Sequence, residues 1–81
     1  MRQDMKEALD RYAQDGIETG GFLRAVLENN LYKAFSRADY QNRTDLFNIV
    51  CYVYNELPMN CWGSPEKVDK WLKMKKGENN D

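Results

Sequence analysis

The chain has 81 residues, of which 42% are hydrophobic and 31% charged, the composition of one folded domain rather than of a disordered segment. Twelve Lys and Arg stand against thirteen Asp and Glu, for a formal net charge of −1. This balance disfavours a general coat on nucleic acid or anionic lipid. There is no apolar run of the ~20 residues that a membrane span needs, and no signal peptide at the start. We therefore expect a cytoplasmic protein.

The residue types that most catalytic and metal sites require are scarce. The chain contains two cysteines and no histidine, which removes Ser–His and Cys–His nucleophiles, histidine metal sites and a four-thiolate zinc site. No pair of acidic residues stands out as a general acid and base. We expect no enzyme activity, no metal and no cofactor. Of the cysteines, Cys51 fits an apolar helical pattern and is predicted in the core, whereas Cys61 follows Pro58 in a loop and is predicted to be more accessible.

The first predicted helix begins at residues 4–7, where Asp4 and Glu7 have the spacing of a capping box. Its apolar residues follow the helical spacing of a single stripe: Met5, Ala8, Leu9, Tyr12 and Ala13. Gly16 is predicted to end it, because glycine tolerates the left-handed conformation of a helix exit.

Residues 19–38 have helical spacing that is interrupted once. Thr19 is the predicted N-cap of the first part. Asn29 and Asn30 break the pattern, which then continues from Leu31 to Ala38. We predict two helices in sequence rather than one bent helix.

The segment 44–57 carries the broadest apolar surface, with Asn42 or Thr44 as its predicted cap. At ~100° per residue its apolar side chains cover an arc of roughly 200°, whereas a surface helix needs an apolar stripe little wider than ~100°. We therefore predict that this helix is packed on two sides at the centre of the fold. Pro58 is predicted to stop it.

The last predicted helix opens at Ser64-Pro65, an N-cap followed by the proline that suits the first helical position. Residues 77–81 are polar and are predicted to form a disordered tail. The sequence thus predicts an all-α fold with one domain over residues 1–76. Its architecture is a compact bundle of four to five short helices with the 44–57 helix central.

A candidate ligand site lies at Thr19, Gly20 and Gly21, ahead of a predicted helix. Backbone amides at the positive end of a helix can receive a phosphate or carboxylate, and Arg24 and Arg37 are the predicted cationic helpers. The alternative is structural: the glycines permit a tight turn and close helix approach, and Arg24 pairs with Glu28 one turn on.

A second set of candidates concerns partner binding. Tyr52 falls on the polar arc of the 44–57 helix with Asn48 and Asn55, which is typical of interface tyrosines unless another element covers it. Trp62 is either a plug under its loop or an exposed anchor. The lysines of the last helix, among them Lys70 and Lys73, form either a solvated face or a nucleic-acid contact.

Four stretches of the chain together resemble a family of small accessory proteins of tailed phages and prophages: Gly16 to Leu31, Arg37-Ala38-Asp39, Ile49 to Pro58, and Cys61-Trp62-Gly63-Ser64. The resemblance spans roughly residues 5 to 72. It implies a phage accessory protein acting in the cytoplasm of the infected host, and it transfers no catalytic or binding residue.

Three functions remain as hypotheses. The first is a helical binding protein that inhibits a host protein, in its specific form a component of antiviral defence (an anti-CRISPR or similar anti-defence role), by analogy with other small phage proteins. The second is a homo-oligomer that sequesters a small nucleotide signal, with Thr19, Gly20, Gly21 and Arg24 lining the phosphate site. The third is a nucleic-acid-binding regulator that uses the lysines of the last helix.

Overall fold

The computed structural model describes residues 1–79, and all regular structure in them is helical. In chain order the elements are α1 (Gln3–Asp15), α2 (Gly21–Leu27), α3 (Leu31–Arg37), α4 (Tyr40–Thr44), α5 (Leu46–Glu56), a 3₁₀ turn (Met59–Cys61) and α6 (Pro65–Asn79). The predicted all-α class is confirmed. None of these helices is long and apolar enough to cross a bilayer.

The core is shared by α1, α2, α5 and α6. These helices contribute one almost completely buried residue each: Leu9, Leu27, Ile49 and Val68. Tyr12 connects these elements: its hydroxyl donates a hydrogen bond to the Cys61 carbonyl at 2.6 Å, and its own carbonyl accepts one from the indole of Trp71 at 3.2 Å. Burial raises the pKa of the Tyr12 phenol well above its ordinary value, so the hydroxyl remains a donor.

The prediction that the 44–57 helix is packed on two sides is wrong. The segment begins later, as α5, behind a separate short helix, α4. Within α5 only Ile49 and Val53 are buried, while Phe47 is 77% and Tyr54 69% exposed. One side of α5 therefore belongs to the core through Ile49 and Val53, and the other side of its apolar arc faces solvent.

The helix ends test the predicted caps. Gly16 ends α1 in the left-handed conformation at φ 68°, and the Ser64 hydroxyl accepts a hydrogen bond from the Lys67 amide at 3.2 Å, as predicted. The predicted caps at Asp4 and Thr19 are wrong. The Asp4 carboxylate accepts from the next amide along the chain, and the Thr19 hydroxyl donates to the Gly20 carbonyl.

Residues 19–38 form two helices, as predicted. Asn29 adopts φ 62°, and the Asn30 side chain caps α3 by accepting a hydrogen bond from the Lys33 amide at 3.1 Å. Neither Asn42 nor Thr44 caps α5, contrary to the prediction. Asp39 instead caps the separate helix α4, because its carboxylate accepts a hydrogen bond from the Asn42 backbone amide at 2.8 Å. These breaks raise the number of α-helices in residues 1–79 to six, above the predicted four to five.

Helix α6 is longer than predicted. It continues through 77–79, and the remainder of the predicted tail, residues 80 and 81, lies outside the described residues.

The two cysteines exchange their predicted environments. Cys61 is fully buried and Cys51 half-buried, and both are free thiols. The 3₁₀ turn folds Cys61 inward beneath Tyr12, whose hydroxyl holds its carbonyl. Burial raises the pKa of the Cys61 thiol to about 11, so the reactive thiolate is suppressed at neutral pH.

We expect Cys51 to react with iodoacetamide at pH 8 at least about 100-fold faster than Cys61, because only Cys51 is reached by solvent and alkylation requires the thiolate. Peptide mass spectrometry after timed labelling of the native protein measures both rates. In urea the two rates should become similar. Equal labelling of the native protein would contradict the buried position of Cys61.

The close packing of α1 on α6 predicts that Gly16→Ala destabilises the fold by about 1–2 kcal/mol. A methyl group at position 16 would overlap the Lys75 Cβ, and φ 68° is unfavourable for alanine. Gly20→Ala is the matched control: its φ is −69° and a methyl group there meets nothing within 4 Å. Its free energy of unfolding, measured in urea, should stay within about 0.5 kcal/mol of the parent. Equal values for the two variants would rule out this packing.

Candidate functional site

A groove of about 240 Å³ lies between the α2–α3 pair and α5. Its walls are mostly apolar: Val26, Leu31 and Ala34 on one side, and Leu46, Val50, Val53, Tyr54 and Trp62 on the other, with Asn29 and Asn30 at the α2–α3 turn. None of these lining residues carries a charge. We call this feature the α3–α5 groove.

The α2–α3 wall is shaped by the asparagine turn. The backbone N–H of Asn29 donates a hydrogen bond to the Val26 carbonyl at 3.1 Å, and the backbone N–H of Asn30 donates to the Ala25 carbonyl at 2.9 Å. These bonds satisfy the free carbonyls at the end of α2 and fold α3 back against it. The asparagines that interrupt the sequence pattern are therefore the residues that form the groove.

Trp62 is one of the residues that line the groove. Its indole nitrogen donates to the Leu57 carbonyl at 3.3 Å, and its ring lies against Tyr54 with centroids 5.7 Å apart. The next residue, Gly63, donates its amide to the Leu27 carbonyl at 2.7 Å, which ties this loop to α2. Trp62 is half-buried, so it is both a packed residue and part of the groove surface.

Large apolar side chains face solvent on the two helices α3 and α5 that flank the groove. On α5, Phe47, Val50 and Tyr54 fall within an arc of about 60°, and on α3, Leu31 and Phe35 are one turn apart. Leu31 is 60% exposed, and Phe35 and Val50 are about half exposed. We call these five residues the α3–α5 face. Sequence reasoning did not select these five as candidate binding residues, because it expected both sides of α5 to be covered within the chain. The signal that could have identified the exposed side of α5 is its 200° apolar arc, which is wider than a surface helix needs.

The structure does not assemble the predicted phosphate site around Arg24. Its guanidinium contacts three carboxylates, those of Glu28 at 2.9 Å, Glu18 at 3.1 Å and Asp69 at 2.5 Å. The hydrogen bond to Glu28 is the main reason that the pKa of Arg24 rises further above its ordinary value. Arg24 therefore ties α2 to α6, and its positive charge is already neutralised.

Part of the predicted ligand set does come together. The Arg37 guanidinium lies so close to Gly21 that a methyl group on Gly21 would overlap it. Arg37 is exposed, and within the described part of the chain it has no carboxylate partner. Thr19 and Gly20 precede α2, but α2 has only seven residues and the Thr19 hydroxyl is engaged by the Gly20 carbonyl.

Among the predicted partner-binding residues, Tyr52 is engaged within the chain. The Tyr52 hydroxyl donates a hydrogen bond to the Asp10 carboxylate, and burial together with Asp10 raises the pKa of Tyr52 to about 12. Tyr52 thus joins α5 to α1. Asn48 and Asn55 are exposed.

Lys70 and Lys73 lie three residues apart on α6, which places them on neighbouring positions of one helix face. Lys70 lines one hollow beside Asn60 and Met74, and Lys73 lines another beside Asp15 and Leu72.

Comparisons of the chain with protein-family models, curated proteins and solved structures found no match.

The contacts of Arg24 predict that Arg24→Gln lowers the free energy of unfolding by about 1–3 kcal/mol, because it leaves the poorly exposed Glu28 carboxylate without its cation. Arg37→Gln, on an exposed arginine, is the matched control and should change it by no more than about 0.5 kcal/mol. Urea unfolding followed by circular dichroism measures both. Equal stabilities for the two variants would mean that the carboxylate cluster contributes nothing to the fold.

Proposed function

We propose that the protein is a phage-encoded helical binding protein that docks onto a host protein and inhibits it. The observation that carries this proposal is the solvent-facing set of large aromatic side chains on three consecutive helices: Tyr32 (86% exposed), Tyr40 (87% exposed), Phe47 and Tyr54. Exposed tyrosines are enriched among the residues that dominate binding energy at protein interfaces, because they bury much area at low entropic cost.

The specific target class that we propose is a component of host antiviral defence. Support comes from the resemblance to small phage accessory proteins, which act in the cytoplasm of the infected cell, and from the analogy with other phage proteins of this size. A binding surface built on rigid helices suits inhibition by occlusion, since such a surface loses little conformational entropy on docking.

A second candidate is an oligomer that sequesters a small nucleotide signal. The observation that favours it is the pairing of Gly21 with Arg37, which places a guanidinium that no described carboxylate neutralises beside the glycine that opens α2. In this case phosphate oxygens would be bound by Arg37, and the defence system would be deprived of its messenger rather than blocked at a protein.

An efficiency-of-plating assay tests the leading proposal. The protein is expressed in a panel of bacterial strains that each carry one antiviral defence system, and each strain is challenged with a sensitive phage. We expect plating to recover on at least one strain and to fall back to the empty-vector value with Tyr32→Ser/Tyr40→Ser. Met59→Ser, which alters an exposed apolar residue on the 3₁₀ turn, is the control and should leave the recovery intact.

The two candidates separate by thermal unfolding with a panel of linear and cyclic nucleotides. A sequestered nucleotide at about 100 times its dissociation constant adds ~2.7 kcal/mol, and Arg37→Gln should remove that shift. Recovery of plating without any nucleotide shift supports the protein target. Absence of recovery on every strain would remove the anti-defence role.

A further inference from the structure

We propose that a second copy of this chain covers the α3–α5 face, in a two-fold pair in which the Phe47 ring of each copy packs into the α3–α5 groove of the other. The inference rests on the proposed function in one respect, because it divides the exposed aromatic residues between two interfaces. Phe47 and Tyr54 contact the second copy, and Tyr32 and Tyr40 contact the target protein.

The first argument is the mismatch between the apolar arc of α5 and its burial. The sequence supplies apolar side chains over roughly 200° of this helix, but the fold of one chain buries only Ile49 and Val53 completely. A helix that is apolar on two sides is stable in water when both sides are covered. One side of α5 is covered within the chain, and the other bears the α3–α5 face.

The second argument is shape. An isologous interface uses the same surface on both copies, so that surface must be complementary to itself. The α3–α5 face meets this requirement because it combines a hollow with a projection: the groove of about 240 Å³ and, on the same side of α5, the largely exposed Phe47 ring. A two-fold rotation brings each projection to the other hollow.

The third argument is area and charge. The five side chains of the α3–α5 face expose on the order of 600 Å², which is at the top of the range for patches on monomers and approaches the ~800 Å² that each partner buries in a stable complex. No lining residue of the groove is charged, and the Arg43 guanidinium stacks on the Phe35 ring with its carbon 4.3 Å from the ring centroid. The net charge of −1 also gives two copies little mutual repulsion.

The identity of the occupant follows from availability. An apolar face of this size promotes aggregation while it is uncovered, so its occupant has to be present as soon as the chain folds. A second copy meets that condition wherever the protein is made. Interfaces between identical subunits are also more apolar than those of transient complexes, which matches a groove lined mainly by aliphatic and aromatic side chains.

Sedimentation velocity on the full chain between about 1 and 500 μM tests the proposal. The wild-type protein should sediment at twice the 9.6 kDa chain mass, and Phe47→Glu should weaken association at least 100-fold, so that it sediments as a monomer. Met59→Glu places the same charge on an exposed methionine outside the groove and should remain dimeric. Circular dichroism checks that both variants are folded.

Three outcomes would overturn the second copy as occupant: a wild-type monomer at 500 μM, a dimer that Phe47→Glu leaves intact, or a monomer whose α3–α5 face is instead buried by a different protein in a purified complex. The plating assay separates these results from the proposed function. If the wild-type chain is monomeric and still restores plating, self-association fails alone. If Phe47→Glu abolishes the dimer as expected and no strain recovers with the wild-type protein, only the anti-defence role fails.

Discussion

The buried side chain of Tyr12 is the contact on which the rest of the structure depends. Through its hydroxyl it holds the Cys61 carbonyl, and through its backbone carbonyl it accepts the Trp71 indole. These bonds join α1 to the 3₁₀ turn and to α6 across 49 and 59 residues of sequence. The 3₁₀ turn leads directly into Trp62, which lines the α3–α5 groove. The groove therefore depends in part on the hydrogen bond that holds this turn.

The surface available for binding is a consequence of how the core is filled. Leu9, Leu27, Ile49 and Val68 occupy the interior, and the helices of residues 1–79, which make a small domain, leave the outer side of α5 uncovered. The apolar residues of α5 that remain outside are thus a by-product of small size. Small size also makes such a surface costly to leave open, which is the physical reason to look for a partner, whether a target or a second copy.

The two arginines predicted as ligand-binding residues have different surroundings. Arg24 gathers three carboxylates from the α1–α2 connection, α2 and α6, while Arg37 lies against Gly21 and is not matched by a described carboxylate. The two arginines look alike in sequence, since each lies in a predicted helix, but only the one that contacts α6 has acidic neighbours. The difference between a structural cation and one available to a ligand is therefore made by helix packing.

The sequence alone determined what local interactions control. The all-α class, the Gly16 exit, the Ser64 cap and the break at Asn29 and Asn30 follow from side chains acting on backbone within four residues. The sequence also shows which positions of α5 are apolar. It did not determine which of these side chains are buried, because burial depends on how the other helices pack against α5. The exposure of Phe47 and Tyr54, the reversed burial of Cys51 and Cys61 and the partners of Arg24 were all decided by contacts between segments far apart in the chain.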